Sequence, residues 1–347
     1  MKRTFFASML VLSALTACSK KEAPKNAAGS ASAPGTTVAN APGSASGALA
    51  HLPGKCDAVM RIDFAAVVAV PSMKTHLIPA LEEMKKAEPK DEAGRQAKAF
   101  LADAGIDPVT DVKEVAVCFN ELKAGAGEPK FTLVVGGNFK PGSIVPAMEK
   151  NGKAERFKIE ELEGSKILVD SDGHLFLGQA PDGAVVLSHS KETLAAAFKT
   201  SNAAATFQVP TDAAVSFVMP AEFMKTAMGN EGSPFVAQAS KVGRGVLALD
   251  LKKPDVQLRI AMGDEKSATE LAGAVKLILG QALKDVPPPG HPMAPMFAML
   301  QAAKIDSKGS DAVVEIAIST EKLDELSKML VEAIKGGGPA ASEPPVP

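Results

Sequence analysis

The feature that most limits what this chain can fold into is an order of elements that runs through it twice. The first passage opens on Asp57-Ala58-Val59-Met60-Arg61-Ile62-Asp63-Phe64, bounded by Pro53-Gly54. The second opens on Asp212-Ala213-Ala214-Val215-Ser216-Phe217-Val218-Met219-Pro220. Apolar residues alternating at period two predict a strand with one buried face, although Val59 to Asp63 alternate imperfectly. Each opening strand leads into helical spacing. Met73, Leu77, Leu81 and Met84 follow the first, and Phe223-Met224-Lys225 follow the second. Each passage then carries a hairpin, at 112–119 with 131–135 and at 245–251 with 256–262. A helix follows each hairpin, at 143–150 and 266–283; Leu271, Val275, Ile278 and Leu279 line one face of the latter. Each passage closes on a strand and a Ser-headed helix. These are Ala184–Ser188 with Ser190-Lys191-Glu192-Thr193-Leu194, and Ala312–Ile318 with Ser319-Thr320-Glu321-Lys322-Leu323. Ser caps a helix N-terminus, and acid in the first turn meets the positive end of the helix dipole. Leu323, Leu326, Leu330 and Ile334 make the last helix amphipathic.

The expectation is an α+β fold of two related halves, 51–205 and 206–335, each an antiparallel sheet with helices packed on one face. The competing explanation is recurrence of hairpin-plus-helix units without a shared origin. Within the first half Pro79 is expected to kink or restart its helix. A second helix is expected from Asp91, its N-cap, to Ala104, with Gly105 as the stop. Asp172-Gly173 marks a hairpin turn among three or four short strands between Ala154 and Leu187.

Residues 19–50 are low complexity, rich in Ala, Gly, Ser and Pro after Lys20-Lys21-Glu22, and cannot bury a core. They are expected to form a disordered tether. The tail 336–347, with Gly336-Gly337-Gly338-Pro339 and Pro344-Pro345, reads the same way.

The N-terminus carries an address. Met1-Lys2-Arg3-Thr4 is a basic start, and Phe5 to Ala17 is a short apolar run, the pattern of a secretory signal. The run falls short of the roughly 20 residues that span a bilayer. Leu15-Thr16-Ala17-Cys18 resembles the bacterial lipobox. The resemblance implies cleavage after Ala17, so that 1–17 is the signal and 18–50 the lipidated cysteine with its tether. It also implies diacylglycerol on the Cys18 thiol and usually a further acyl chain on the new amino group. Each buried methylene contributes about 0.8 kcal/mol, so two or three chains anchor firmly. Ser19, where Asp is the usual inner-membrane retention signal, favours the outer membrane in a Gram-negative host.

The pattern 52–140 resembles a loose class of myxobacterial-type lipoproteins of uncharacterised function. Leu52-Pro53 through Asp63 carries it, with Gly105-Ile106-Asp107-Pro108, Asp111-Val112 and Val115. These are a strand entry and a helix-to-strand turn, and they bring no activity with them.

The formal charge is −2, and loss of Lys2 and Arg3 makes the mature part slightly more acidic. That balance gives no basic footprint for nucleic acid. Trp 0 and Tyr 0 argue against a stacking surface for sugars or single strands.

With Cys18 acylated, Cys56 and Cys118 remain as an even pair in an oxidising compartment. A structural disulfide is expected if their strands are neighbours; buried free thiols or a redox pair are the alternatives. His291, Met293, Met296 and Met299 form a soft-donor cluster of the kind that suits Cu(I). The competing reading makes Met296, Phe297, Met299 and Leu300 the apolar face of a short helix. Asp170-Ser171-Asp172-Gly173 opens like a Ca²⁺ loop, but Pro181 stands where the twelfth-position Glu belongs. Ser188-His189-Ser190 lacks the tight elbow of a nucleophilic Ser. Gly136-Gly137 is not followed by a phosphate-binding motif. Glu82-Glu83 and Glu160-Glu161 lie in solvated stretches, and five scattered His form no ligand spacing.

The function expected from sequence is a non-enzymatic envelope lipoprotein, without cofactor, that serves as a binding or structural module. Its partners are the membrane, through the anchor, and another envelope protein or an apolar ligand held between sheet and helices. Copper handling through the Met/His cluster and a hydrolase with an unfamiliar site are the alternatives.

Overall fold

The computed structural model describes residues 47–86, 92–121, 130–151, 157–200, 203–229, 235–284 and 294–335. The signal, Cys18, the tether up to residue 46, Asp91 and the tail 336–347 lie outside the described residues.

The first half opens with a 3-10 turn, Ala48–His51, and strand β1 (Ala58–Asp63). Helices α1 (Phe64–Ala69), α2 (Pro71–Lys86) and α3 (Glu92–Ala104) follow. Then come β2 (Val112–Asn120), β3 (Lys130–Gly137), α4 (Ile144–Asn151), β4 (Phe157–Leu162), β5 (Ser165–Asp170), β6 (Phe176–Gln179) and β7 (Val185–Ser188). It closes with α5 (Lys191–Ala197) and α6 (Ala203–Phe207). The second half has β8 (Val215–Met219), α7 (Ala221–Gly229), a 3-10 helix Val236–Lys241, β9 (Val242–Asp250) and β10 (Asp255–Met262). It continues with α8 (Glu265–Ala282), α9 (Ala294–Gln301), β11 (Lys304–Lys308), β12 (Asp311–Ala317) and α10 (Thr320–Lys335).

Local chemistry accounts for the boundaries. Ser190 caps α5 by accepting from the Thr193 amide at 3.2 Å, and Ser319 caps α10 by accepting from the Lys322 amide at 3.2 Å. Asp264 caps α8, accepting from both the amide and the hydroxyl of Ser267. Gly105 takes φ +67 after α3, the left-handed stop expected of it. Pro79 lies inside α2 and does not end it; the helix runs from Pro71 to Lys86.

All twelve strands form one antiparallel sheet, in the order β11-β12-β10-β9-β8-β1-β2-β3-β7-β6-β5-β4. The fold is α+β with antiparallel pairing. The two halves share that sheet, because β1 and β8 pair directly with Val59 opposite Val218. From this central pair the order runs β1-β2-β3-β7 one way and β8-β9-β10-β12 the other. Beyond strand order the halves differ. The first adds β6, β5 and β4 where the second adds β11 alone, and their closing helices leave for opposite faces.

Side chains alternate along strands, so the register sorts residues onto two faces. One face holds Met60, Val117, Leu133, Leu187, Leu249, Val256 and Ile260, and α1–α4, α7, α8 and α10 pack on it. The opposite face holds Val59, Ala116, Cys118, Val134, Val186, Val218 and Val246. In the first half the 3-10 turn, Leu52, α5 and α6 cover this second face as well. The strands there are apolar on both sides, as in Ala116-Val117-Cys118 and Val185-Val186-Leu187, the mark of burial on both faces. The second half has helices on one face only. There β10 reads Val256-Gln257-Leu258-Arg259-Ile260, strictly alternating.

The expected tether runs three residues too far. Ala48, Leu49 and Ala50 are buried together with His51 and Leu52, as a plug between the sheet and α5 and α6. Short side chains let the backbone approach the sheet closely. Gly136 of β3 lies beneath it, and a Cβ there would stand 2.8 Å from the Ala48 nitrogen. Composition alone made 48–50 look like linker.

Cys56 and Cys118 form a disulfide, with Cα atoms 5.4 Å apart and a separation of 62 in sequence. The β1–β2 register brings them together. Val59 stands opposite Cys118, and the Asp57 amide donates to the Phe119 carbonyl at 2.8 Å, carrying the pairing past the end of β1. Closing a loop of this length stabilises by about 4 kcal/mol in the chain-entropy account, and measured values run about 2–4 kcal/mol. We therefore expect both cysteines to resist alkylation until reduced. The pair Cys56→Ala with Cys118→Ala should lower unfolding free energy by about 2–4 kcal/mol in urea titration.

Candidate binding groove

The uncovered face of the second half is walled on one side. Before β8 the chain crosses this face from Gln208 to Ala213 and is tied down by three side chains. Ser216 Oγ donates to the Pro210 carbonyl at 2.7 Å, Arg61 Nη1 donates to the Ala213 carbonyl at 2.8 Å, and Arg244 Nη1 reaches the Gln208 carbonyl at 3.4 Å. Between this wall and the face of β9 and β10 lies a groove of about 520 Å³. Its floor is short and mixed: Val246, Ala248 and Ala261, with Gln257 between. Longer side chains at Val246 and Ala248 would fill it.

Charged residues surround the floor in rows set by the register. Asp250 stands opposite Asp255 at one end. Ala248, Gln257 and Glu315 form the next row, then Val246, Arg259 and Val313, and last Ala261 and Asp311. Arg259 donates to Gln257 Oε1 from Nε at 3.2 Å and from Nη2 at 2.9 Å, and Gln257 Nε2 passes the chain on to Asp255 at 2.9 Å. Glu315 accepts from Lys308 at 2.6 Å. That bond holds its carboxyl below the usual range, with Arg259 and Lys304 adding to the effect. Among the described residues neither Arg244 nor Arg259 forms an ion pair with a carboxylate. Each guanidinium therefore presents free donors, in the planar fork that suits a carboxylate or phosphate.

Behind the wall sits a buried charge cluster. Arg61, 6% exposed, donates through Nε to Glu114, through Nη2 to Asp63 at 3.2 Å, and through Nη1 to the wall at Ala213. Glu114 in turn accepts from the Leu49 amide at 3.4 Å. One guanidinium thus ties β1, β2, the plug and the wall together. No sequence motif marks Arg61. The available signal was a cation in the middle of an apolar strand, which burial permits only with partners.

The residues singled out by sequence are dispersed. Cys56 and Cys118 lie under the plug, away from the groove. His291 and Met293 lie outside the described residues, and the side chain of Met296 on α9 is not among those described. Met299 is half-buried on the same helix. Ser188 and His189 point to opposite faces. The Ser188 hydroxyl pairs with Thr132 at 3.1 Å, while the His189 ring stands edge-on to Phe131 at 4.5 Å. Asp170 closes its hairpin by accepting from the amides of His174 at 2.7 Å and Leu175 at 2.8 Å. Among the described residues no cluster of three His, Cys, Asp or Glu is placed to hold a metal. No described helix is long and apolar enough to cross a membrane.

No family model and no curated protein matches the chain. Solved structures of a protein named TP0453 do. Its crystal form I is 11% identical over 82% of this chain and 98% of that one, with a TM-score of 0.38. Crystal form III is 14% identical over 80% and 97%, with a TM-score of 0.42. Crystal form IV is 10% identical over 85% and 98%, with a TM-score of 0.41. At such scores the groove is read from its own residues.

Removing one member of a buried ion pair leaves the other uncompensated, at about 3–5 kcal/mol, whereas replacing both by apolar residues is often close to neutral. Arg61→Ala is expected to destabilise by about that amount, and Arg61→Met with Glu114→Leu by less than the single change. Urea titration of the variants checks the order; a double variant weaker than the single one contradicts it.

Proposed function

We propose that the chain is a lipid-anchored envelope protein whose folded part is a non-enzymatic binding module, and that it binds on the uncovered face of its second half. The observation that carries this reading is the groove itself. A sheet that carries helices on both faces in one half carries them on only one face in the other, and the open face is walled and floored with short side chains. Its arginines keep donors free of carboxylates. The groove is polar, with aspartates as well as Arg244 and Arg259 in its lining, and it favours a polar partner that offers an anionic group to the arginines and donors to the carboxylates.

The anchor supports the address. Leu15-Thr16-Ala17-Cys18 would place lipid on Cys18, and the chain between Cys18 and the plug would hold the folded part at the membrane. The outer membrane is our reading for a Gram-negative host, from Ser19.

Two measurements test these parts separately. Cells fed an alkyne fatty acid should label the wild-type chain, and Cys18→Ser should lose the label and leave the membrane fraction. A labelled Cys18→Ser chain contradicts the anchor. For the groove, a photoreactive amino acid at Ala248 in intact cells should give a discrete adduct. That adduct should disappear with Arg259→Glu and be absent when the probe sits at Thr269 on α8. Adducts that are the same at both positions, or unchanged by Arg259→Glu, contradict the site.

A further inference from the structure

His51 is the last residue of the buried plug, and its ring is 2% exposed. Its Nδ1 lies 2.7 Å from the Ala197 carbonyl at the end of α5. Its Nε2 lies 2.8 Å from Asp182 Oδ2, in the loop between β6 and β7. Both ring nitrogens thus face oxygens that accept. A carbonyl can only accept, so Nδ1 carries a proton. A neutral imidazole has one N–H, and its other nitrogen would then turn a lone pair on a carboxylate. The contact is attractive only when the His51–Asp182 pair holds one proton more than neutral imidazole plus carboxylate.

We propose that His51 and Asp182 form a proton-operated latch on the N-terminal plug, closed when the pair holds that extra proton and loosened when it is lost. The geometry gives each part a role. His51 is fixed in place by its burial and its bond to α5. Asp182 is 56% exposed and can turn to water when the lone pair faces it. The plug is the point where the chain arriving from Cys18 enters the fold, and it covers apolar residues of β2 and β3. It is seated on the glycine at 136 and held at its other end by Glu114 on the Leu49 amide.

Among the described residues no other titratable group bonds to the ring. The elements packed on the plug are β2, β3, α5 and α6. On β2, Glu114 is engaged by Arg61; on β3, Lys130 pairs with Glu121; on α5, Lys191 pairs with Glu160 and Glu192 accepts from Ser190. Helix α6, Ala203–Phe207, carries no charge. Burial tends to raise the Asp182 carboxyl, but the hydrogen bonds from His51 and the Ala184 amide outweigh it and hold the group below its usual range. The carboxylate is thus the favoured form of Asp182, and the proton whose loss loosens the latch is the one that Nε2 turns toward it. The sign follows from the geometry: the latch contributes while both ring nitrogens carry a proton, and that contribution disappears when the extra proton is lost at higher pH.

The test compares the full mature chain with Asp182→Asn at about pH 5 and about pH 8, either side of the ordinary histidine range. An Asn amide can donate to the free nitrogen of a neutral imidazole, so this variant should hold the plug at high pH without the extra proton. The readout is amide hydrogen exchange at Leu49, Ala50 and Leu52, corrected for the intrinsic pH dependence of exchange, with ¹⁵N spectra of the His51 ring. In the wild type, protection should fall roughly tenfold or more from the lower to the higher pH, the loss expected for one charge-assisted hydrogen bond. The ring should show two N–H groups at the lower pH. In Asp182→Asn, protection should change less than about threefold. Equal wild-type protection at both values, a single ring N–H at the lower pH, or the same fall in Asp182→Asn would each overturn the latch.

Discussion

The pairing of β1 with β8 is the constraint on which the rest of the architecture depends. Without it the chain would be two smaller sheets, each with an open edge at its first strand. With it, the two opening strands become the centre of one sheet, and every later strand is laid outward from them. A long sheet has two faces to account for. This chain packs helices on one face in both halves, leaving Ile159 and Leu247 exposed there, and covers the other only as far as β8.

The difference between the covered and bare regions is written in the alternation of single strands. β2, β3 and β7 keep apolar residues on both sides, so the plug, α5 and α6 have something to bury. β10 keeps its apolar residues on one side and sets Asp255, Gln257, Arg259 and Ala261 on the other. An apolar helix packed there would desolvate a guanidinium and a carboxylate that are bridged only through the Gln257 amide and not paired with an opposite charge, at several kcal/mol. That cost is a physical reason for the closing helix α10 to pack on α2 and not on the face that α5 takes in the first half.

Much of this was legible in the sequence. The Ser190 and Ser319 caps, the Gly105 stop, the succession of strands and helices along each half and the Cys56–Cys118 pair follow from short-range signals or from compartment chemistry, whereas a separate sheet was expected in each half and the β1–β8 pair joins them into one. Three features were not. The plug was hidden because Ala48-Leu49-Ala50 continues the composition of the segment before it, and only the glycine at 136 explains how such small residues become core. Arg61 was hidden because two of its three partners, Glu114 and the Ala213 carbonyl, lie 53 and 152 residues away in sequence. The groove was hidden because no motif makes it. It arises from a register that puts Ala248 and Gln257 side by side and from a wall that three side chains tie in place. The Met/His cluster was the sharpest motif by composition, and it contributes no described residue to the groove.

The central claim is that one face of a single sheet is covered in the first half and open in the second. Cysteine reactivity tests it most directly, by comparing Val134→Cys and Ala248→Cys, which stand on the same face on either side of the β1–β8 pair. A maleimide reagent on the folded protein should modify Ala248→Cys readily and should reach Val134→Cys only when the protein unfolds. Equal protection of the two positions, or ready modification of both, would contradict the account.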